Sequence, residues 1–165
     1  LFNNWTTSYL EKTTVIDKGD VILSLTFFVL GMTVARLLLS FLLNKIKNSL
    51  VLFGGMILTV TGIVFLNYAS DFNLAAIGLF FAGFGLAAGF PVVLGVIGTL
   101  YKETSGTVIG LALFIALSGN TLLNYAMGYV TRMFEISFFP VFIFILLILQ
   151  SIIVITNTKI INNKN

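Results

Sequence analysis

The sequence predicts an all-α membrane protein, with five spanning helices in one domain over residues 1–165, on three observations. Apolar residues make up 58% of the chain and charged residues only 9%, against about 25% charged in an ordinary soluble domain. Mean hydropathy is +1.08, and a small domain leaves too much surface exposed to hide that much apolar area from water. The apolar residues also gather into five runs, 21–43, 50–68, 74–101, 108–130 and 138–155. Crossing roughly 30 Å of hydrocarbon takes about 20 such residues. Each run is expected to be helical, because lipid offers no partner to an unpaired backbone N–H or C=O.

The segment before the first run carries Trp5, Tyr9 and Leu10, then a polar stretch from Glu11 to Asp20. Aromatics followed by charge mark the outer end of a membrane helix. We read residues 1–10 as the last turns of a helix that begins before Leu1, and the chain as an internal piece of something longer. An ordinary surface segment with an aromatic anchor is the other reading.

The first run holds Arg36, the one charge inside any of the five. A charge at that depth usually faces protein or water. Snorkelling to the headgroups, a structural ion pair and contact with a solute all remain open. The second run is nearly uniform in its apolar character. The third is the longest, about 42 Å at 1.5 Å per residue, so it must tilt, bend or project. Pro91 inside it is the expected bend. Gly85 and Gly89 form a GxxxG pair that favours close helix packing.

The fourth run has a stripe of period four: Ala112, Ala116, Asn120, Asn124 and Gly128, with Gly119 beside it. Small residues at that spacing let helices approach. Two amides on one face offer donors and acceptors either to a polar solute or to a neighbouring helix. The fifth run has only Gln150 and Ser151 as polar members. It reads, with the second, as a lipid-facing outer helix, leaving the first, third and fourth to line a cavity.

Short connections at 44–49, 69–73, 102–107 and 131–137 make neighbouring helices antiparallel. Lys45, Lys47, Lys102, Lys159 and Lys164 then share one side, and Lys12, Lys18 and Arg132 the other. The positive-inside rule places the first group in the cytoplasm, with the N-terminus outside and the C-terminus inside. A shift of 88 residues, the separation of Gly31 and Gly119, lays the first run on the fourth and the second on the fifth, with Ser40 on Gly128. Three helices per unit gives the two units opposite topology, a pattern of transporter folds.

Catalysis finds no support in the residues. The chain has no His and no Cys, which removes the commonest general base and thiolate chemistry. Glu11, Asp17, Asp20, Asp71, Glu103 and Glu135 all lie at helix ends or in loops. No phosphate loop, metal-ligand spacing or nucleophile–base pair occurs. No enzyme activity, cofactor or metal is expected. A net charge of +3 gives no reason to invoke nucleic acid. The partners expected are a small solute, the lipid bilayer and further helices of the same protein.

Residues 31–47, GMTVARLLLSFLLNKIK, resemble the eighth helix and following loop of major facilitator superfamily transporters. Ala35 and Arg36 stand where that family has a Gly-Arg pair. Ser40, Leu42, Asn44 and Lys45 take the G, L, D and R/K places of its G-x-L-x-D-R/K-x-G-R-R motif. Asn44 for Asp and Asn48-Ser49 for the basic pair are departures. The start, NNWTTSYLEK, and Phe90-Pro91 resemble the fucose-permease-like branch, whose eleventh helix carries Gly where Ser118-Gly119-Asn120 to Gly128 stand here. The resemblance implies a C-terminal helical bundle of that family: the end of helix seven, then helices eight to twelve. It implies a multi-pass protein of the plasma or inner membrane that moves a small polar solute, a sugar on the branch resemblance, by symport or facilitated diffusion. Trp5 and Tyr9 would stack on a sugar ring, and Asn120 and Asn124 would bond its hydroxyls. Arg36, Asn44, Lys45, Gly85, Gly89, Pro91, Gly119 and Gly128 would serve gating or packing. A non-transporting membrane scaffold and a carrier of another organic solute are the alternatives.

Overall fold

The computed structural model describes residues 2–14, 16–43 and 45–161, and no strand occurs among them. A short helix, α1 (Phe2–Thr13), leads into α2 (Lys18–Leu42), α3 (Asn48–Asn67), α4 (Phe72–Leu86), α5 (Gly89–Leu100), α6 (Ser105–Phe134), α7 (Phe139–Thr156) and the single turn α8 (Thr158–Ile161). Among the described residues, five stretches are long and apolar enough to cross a membrane, α4 and α5 together forming the third. Their limits fall within a few residues of the runs read from hydropathy. Asn44 and Lys164 lie outside the described residues.

Local chemistry sets several helix ends. Asp17 caps α2, its carboxylate accepting from the Gly19 N–H at 3.1 Å. Asp71 caps α4, accepting from the Leu74 N–H at 3.3 Å. Each satisfies a donor that the first turn leaves unpaired. Pro140 stands at the start of α7, where its missing N–H has no intrahelical acceptor. At the end of α6, Glu135 has φ 66 and ψ 169. Glycine is the ordinary occupant of that region.

The third run is divided at Ala87 and Ala88, which separate α4 from α5. Pro91 offers no N–H to the Ala87 carbonyl, and its ring crowds that carbonyl. The break therefore lies one turn before the proline.

Glycines at the crossings hold α2, α3 and α4 together. A Cβ on Gly31 would strike the Phe80 carbonyl of α4, and one on Gly83 would strike the Phe28 carbonyl of α2. Between α3 and α4, a Cβ on Gly55 would lie 2.5 Å from the Gly85 oxygen, and one on Gly62 would lie 2.5 Å from the Ala82 nitrogen. Gly78 and Gly85 face α3 from the other side. Lipid supplies no hydrophobic drive between helices, so close backbone approach of this kind carries the association.

Only Gly85 of the expected GxxxG pair sits in such a crossing. A side chain on Gly89 would meet nothing within 4 Å. The partner of Gly85 is Gly55, on another helix. The second run also differs from its expected outer place. As α3 it has 44% of its most apolar stretch buried, the largest share of the five. The small residues Gly55, Thr59 and Gly62 on one face admit α4, while Ile57 and Val64 on the other remain exposed.

Aromatic rings fasten α1 to these helices and to α7. Phe2 stacks on Phe28 of α2 at 5.3 Å and tilts against Phe139 at 5.7 Å. Tyr9 meets the same Phe139 at 5.6 Å.

Candidate functional site

The polar side chains that meet in the apolar span region lie where α1 meets α6. Asn120 is at the middle of the 30-residue α6, and Asn124 lies about one turn further, or roughly 6 Å. The Trp5 indole N–H donates to the Asn124 side-chain oxygen at 3.1 Å. The Asn124 Nδ2 donates to the Asn120 carbonyl at 2.7 Å and stands 3.3 Å from the Asn120 side-chain oxygen. The four-residue spacing thus makes a short amide ladder along one helix face, joined across a helix boundary by an indole.

Gly128 continues that face one turn on. A Cβ there would stand 3.8 Å from the Trp5 ring, so the six-membered edge of the indole lies against bare helix backbone. Trp5 and Asn124 are half-buried, and Asn120 is exposed. The Asn124 carboxamide oxygen has a second lone pair beyond the one that Trp5 uses. Chemically the arrangement offers amide donors and acceptors beside an aromatic face, within an otherwise apolar surface. It holds no titrating group.

Tyr9 stands apart from these three. It is only 4% exposed, packs on Phe139 and donates its hydroxyl to the Asn67 side chain at 3.2 Å. That bond ties α1 to the end of α3. The sequence reading did not single out Asn67, although Asn67-Tyr68 closing the second run carried the signal of an interfacial polar end.

The remaining expected positions are dispersed. Arg36 is exposed on α2 and makes no hydrogen bond or ion pair among the described residues. Lys45 is exposed in the turn after α2. Gly85 lies in the α3–α4 crossing, while Gly89 and Pro91 open α5. A side chain on Gly119 would meet nothing within 4 Å.

Five apolar spans and a polar junction at mid-helix depth define a multi-pass membrane protein, and no group of acids, His or Cys among the described residues could hold a metal ion. The family model described as Major Facilitator Superfamily matches residues 2–160. The chain therefore belongs to the Major Facilitator Superfamily, a family of membrane transporters. No curated protein matches the chain, and no solved structure does.

Proposed function

We propose that this chain walls one side of the path of a small polar solute, a sugar in our reading, which the whole protein moves by alternating access. The observation that carries the proposal is the Trp5–Asn124–Asn120 junction at the centre of α6. Transporters of this kind bind their solutes near the bilayer midplane, at the boundary between helical units. The amides that bond each other exchange those bonds for solute hydroxyls, and the indole supplies a face for the ring carbons. Tyr9 supports the site from behind by holding α1 against α3 and α7. Gly85, Pro91 and Gly128 allow the helices to approach and bend, and Lys45 belongs to the loop at the opposite end from Trp5. With no acid inside any of the five runs, a proton-coupled cycle would take its titrating group from outside this chain. The pH dependence of uptake separates that case from facilitated diffusion.

The test is uptake of radiolabelled monosaccharides by cells carrying the whole protein. Leaving a hydrogen-bonding group without its partner costs about 1–3 kcal/mol, so Asn124→Leu and Trp5→Phe are each expected to lower uptake about five- to hundred-fold at unchanged membrane abundance. Full sugar uptake in the double variant would remove these residues from the site. The same polar bonds also serve a non-transporting scaffold, in which the junction is interhelical glue. In that case both variants lose abundance and no solute is moved by the parent.

The orientation we propose has the N-terminus outside and the C-terminus in the cytoplasm of a plasma or inner membrane, on the lysine distribution. The chain contains no cysteine, so single cysteines at 46 and 70 report the two faces by labelling with an impermeant thiol reagent. Labelling of both from the same side would overturn the five-span arrangement.

A further inference from the structure

A cleft of about 320 Å³ runs between α2, α3 and α4, and every side chain that lines it is apolar. Its walls include Ala35 and Leu39 of α2, Gly54 and Leu58 of α3, and Phe84 of α4. Ile46, in the turn joining α2 to α3, lies at one end, and Leu58 lies about 12 residues further along the chain, so the cleft descends along α3 from the loop toward the middle of the span. The residues on either side of Ile46 are Lys45 and Lys47, both exposed and in no ion pair among the described residues.

We propose that this cleft seats an acyl chain of an anionic phospholipid, with its phosphate held at Lys45 and Lys47. The cleft has the chemistry of a lipid tail along its length, and two exposed lysines flank the Ile46 that lines its end. A partner helix would satisfy the walls but not the paired lysines. On the orientation proposed above, the mouth lies in the cytoplasmic leaflet, where anionic lipids attract basic segments at about 1 kcal/mol per residue. The site rests on the membrane reading of the fold and not on the solute junction, which lies on other helices.

Gly54 gives a direct way to close the cleft. A Cβ there would meet no atom within 4 Å, so the side chain of Gly54→Leu starts into open space in the cleft. The experiment is native mass spectrometry of the chain extracted from vesicles holding equal phosphatidylglycerol and phosphatidylcholine. The parent is expected to retain phosphatidylglycerol preferentially. Lys45→Gln with Lys47→Gln should reduce that preference about five-fold per lysine, and Gly54→Leu should reduce retention of both lipids. Arg132→Gln removes one charge at the other end of the bundle and should leave the preference as it was. An unchanged preference in the double lysine variant overturns the proposal, as does an equal loss in Arg132→Gln. So does full lipid retention in a Gly54→Leu variant whose helical content matches the parent. A Gly54→Leu variant that instead converts a dimer to a monomer would show a second copy in the cleft and overturn it too. If Gly54→Leu fails to fold, the lysine variant, which changes only exposed side chains, decides the question.

Discussion

The helices α2, α3 and α4 and the helix α6 are built from much the same apolar residues, yet they live in different surroundings. In the first group, glycines on facing helices bring backbones into contact, and α3 has 44% of its most apolar stretch buried. In α6 the corresponding figure is 0%. The spacing of 88 residues between the first and fourth runs makes the contrast sharper. Gly31 and Gly119 are equivalent under the internal shift, but Gly31 is pressed against the backbone of Phe80 and Phe84, and Gly119 faces open space. Apolar character takes a helix out of water in both cases. What it then touches depends on whether a second helix presents bare backbone opposite its own small residues. The open face of α6 is what α2 would show if α4 were taken away.

That comparison can be broken from either side. The largest effect is expected for Gly31→Leu, whose side chain has to displace the α4 backbone. Overpacking costs about 1–3 kcal/mol and more where backbone must move, so thermal unfolding in detergent should show loss of the folded state or a melting temperature lowered by several degrees. Gly119→Leu is the matched control for this measurement. Melting of Gly119→Leu at the parent temperature sharpens the contrast, and a drop equal to that of Gly31→Leu would abolish it.

A smaller effect is expected where the glycine-rich helices connect to α6. The short α5 touches α6, and its separation from α4 follows from Pro91. Pro91→Ala restores an N–H for the Ala87 carbonyl and should gain about 1 kcal/mol of stability. Amide hydrogen exchange at residue 91 would show protection matching that of α4. Rapid exchange there would mean that the break has another cause.

The smallest effect belongs to the far end of α6. Glu135 occupies a backbone region that glycine enters without steric cost, so Glu135→Gly should raise stability by roughly 0.5–1 kcal/mol. A lowered melting temperature would show that the Glu135 side chain contributes more than its backbone strain removes.

Much of the architecture was legible in the residue order, for reasons that particular segments make plain. The five runs agree with the helices within a few residues because a spanning helix must be continuous and apolar. The break near Pro91 follows from one missing N–H. The place of α3 was not legible, because average apolar character does not distinguish a lipid-facing side chain from one against a neighbour. Its signal was the face carrying Gly55, Thr59 and Gly62. The spacing of Gly85 and Gly89 suggests a pair along one helix, whereas Gly85 pairs across to Gly55. Within the candidate site, Asn120 and Asn124 were readable from their spacing, and Trp5 from its residue type. Their meeting was not, since Trp5 and Asn124 are 119 residues apart.

By itself the sequence determined that the chain carries five stretches fit to cross a membrane and, within a few residues, where each of them begins, because these depend on the transfer of local segments out of water. Only the tertiary structure decided that Gly31 would be filled and Gly119 left open, and that Tyr9 would turn inward while Trp5 reached Asn124. Those outcomes depend on two surfaces distant in the chain fitting at backbone contact, which no single segment encodes.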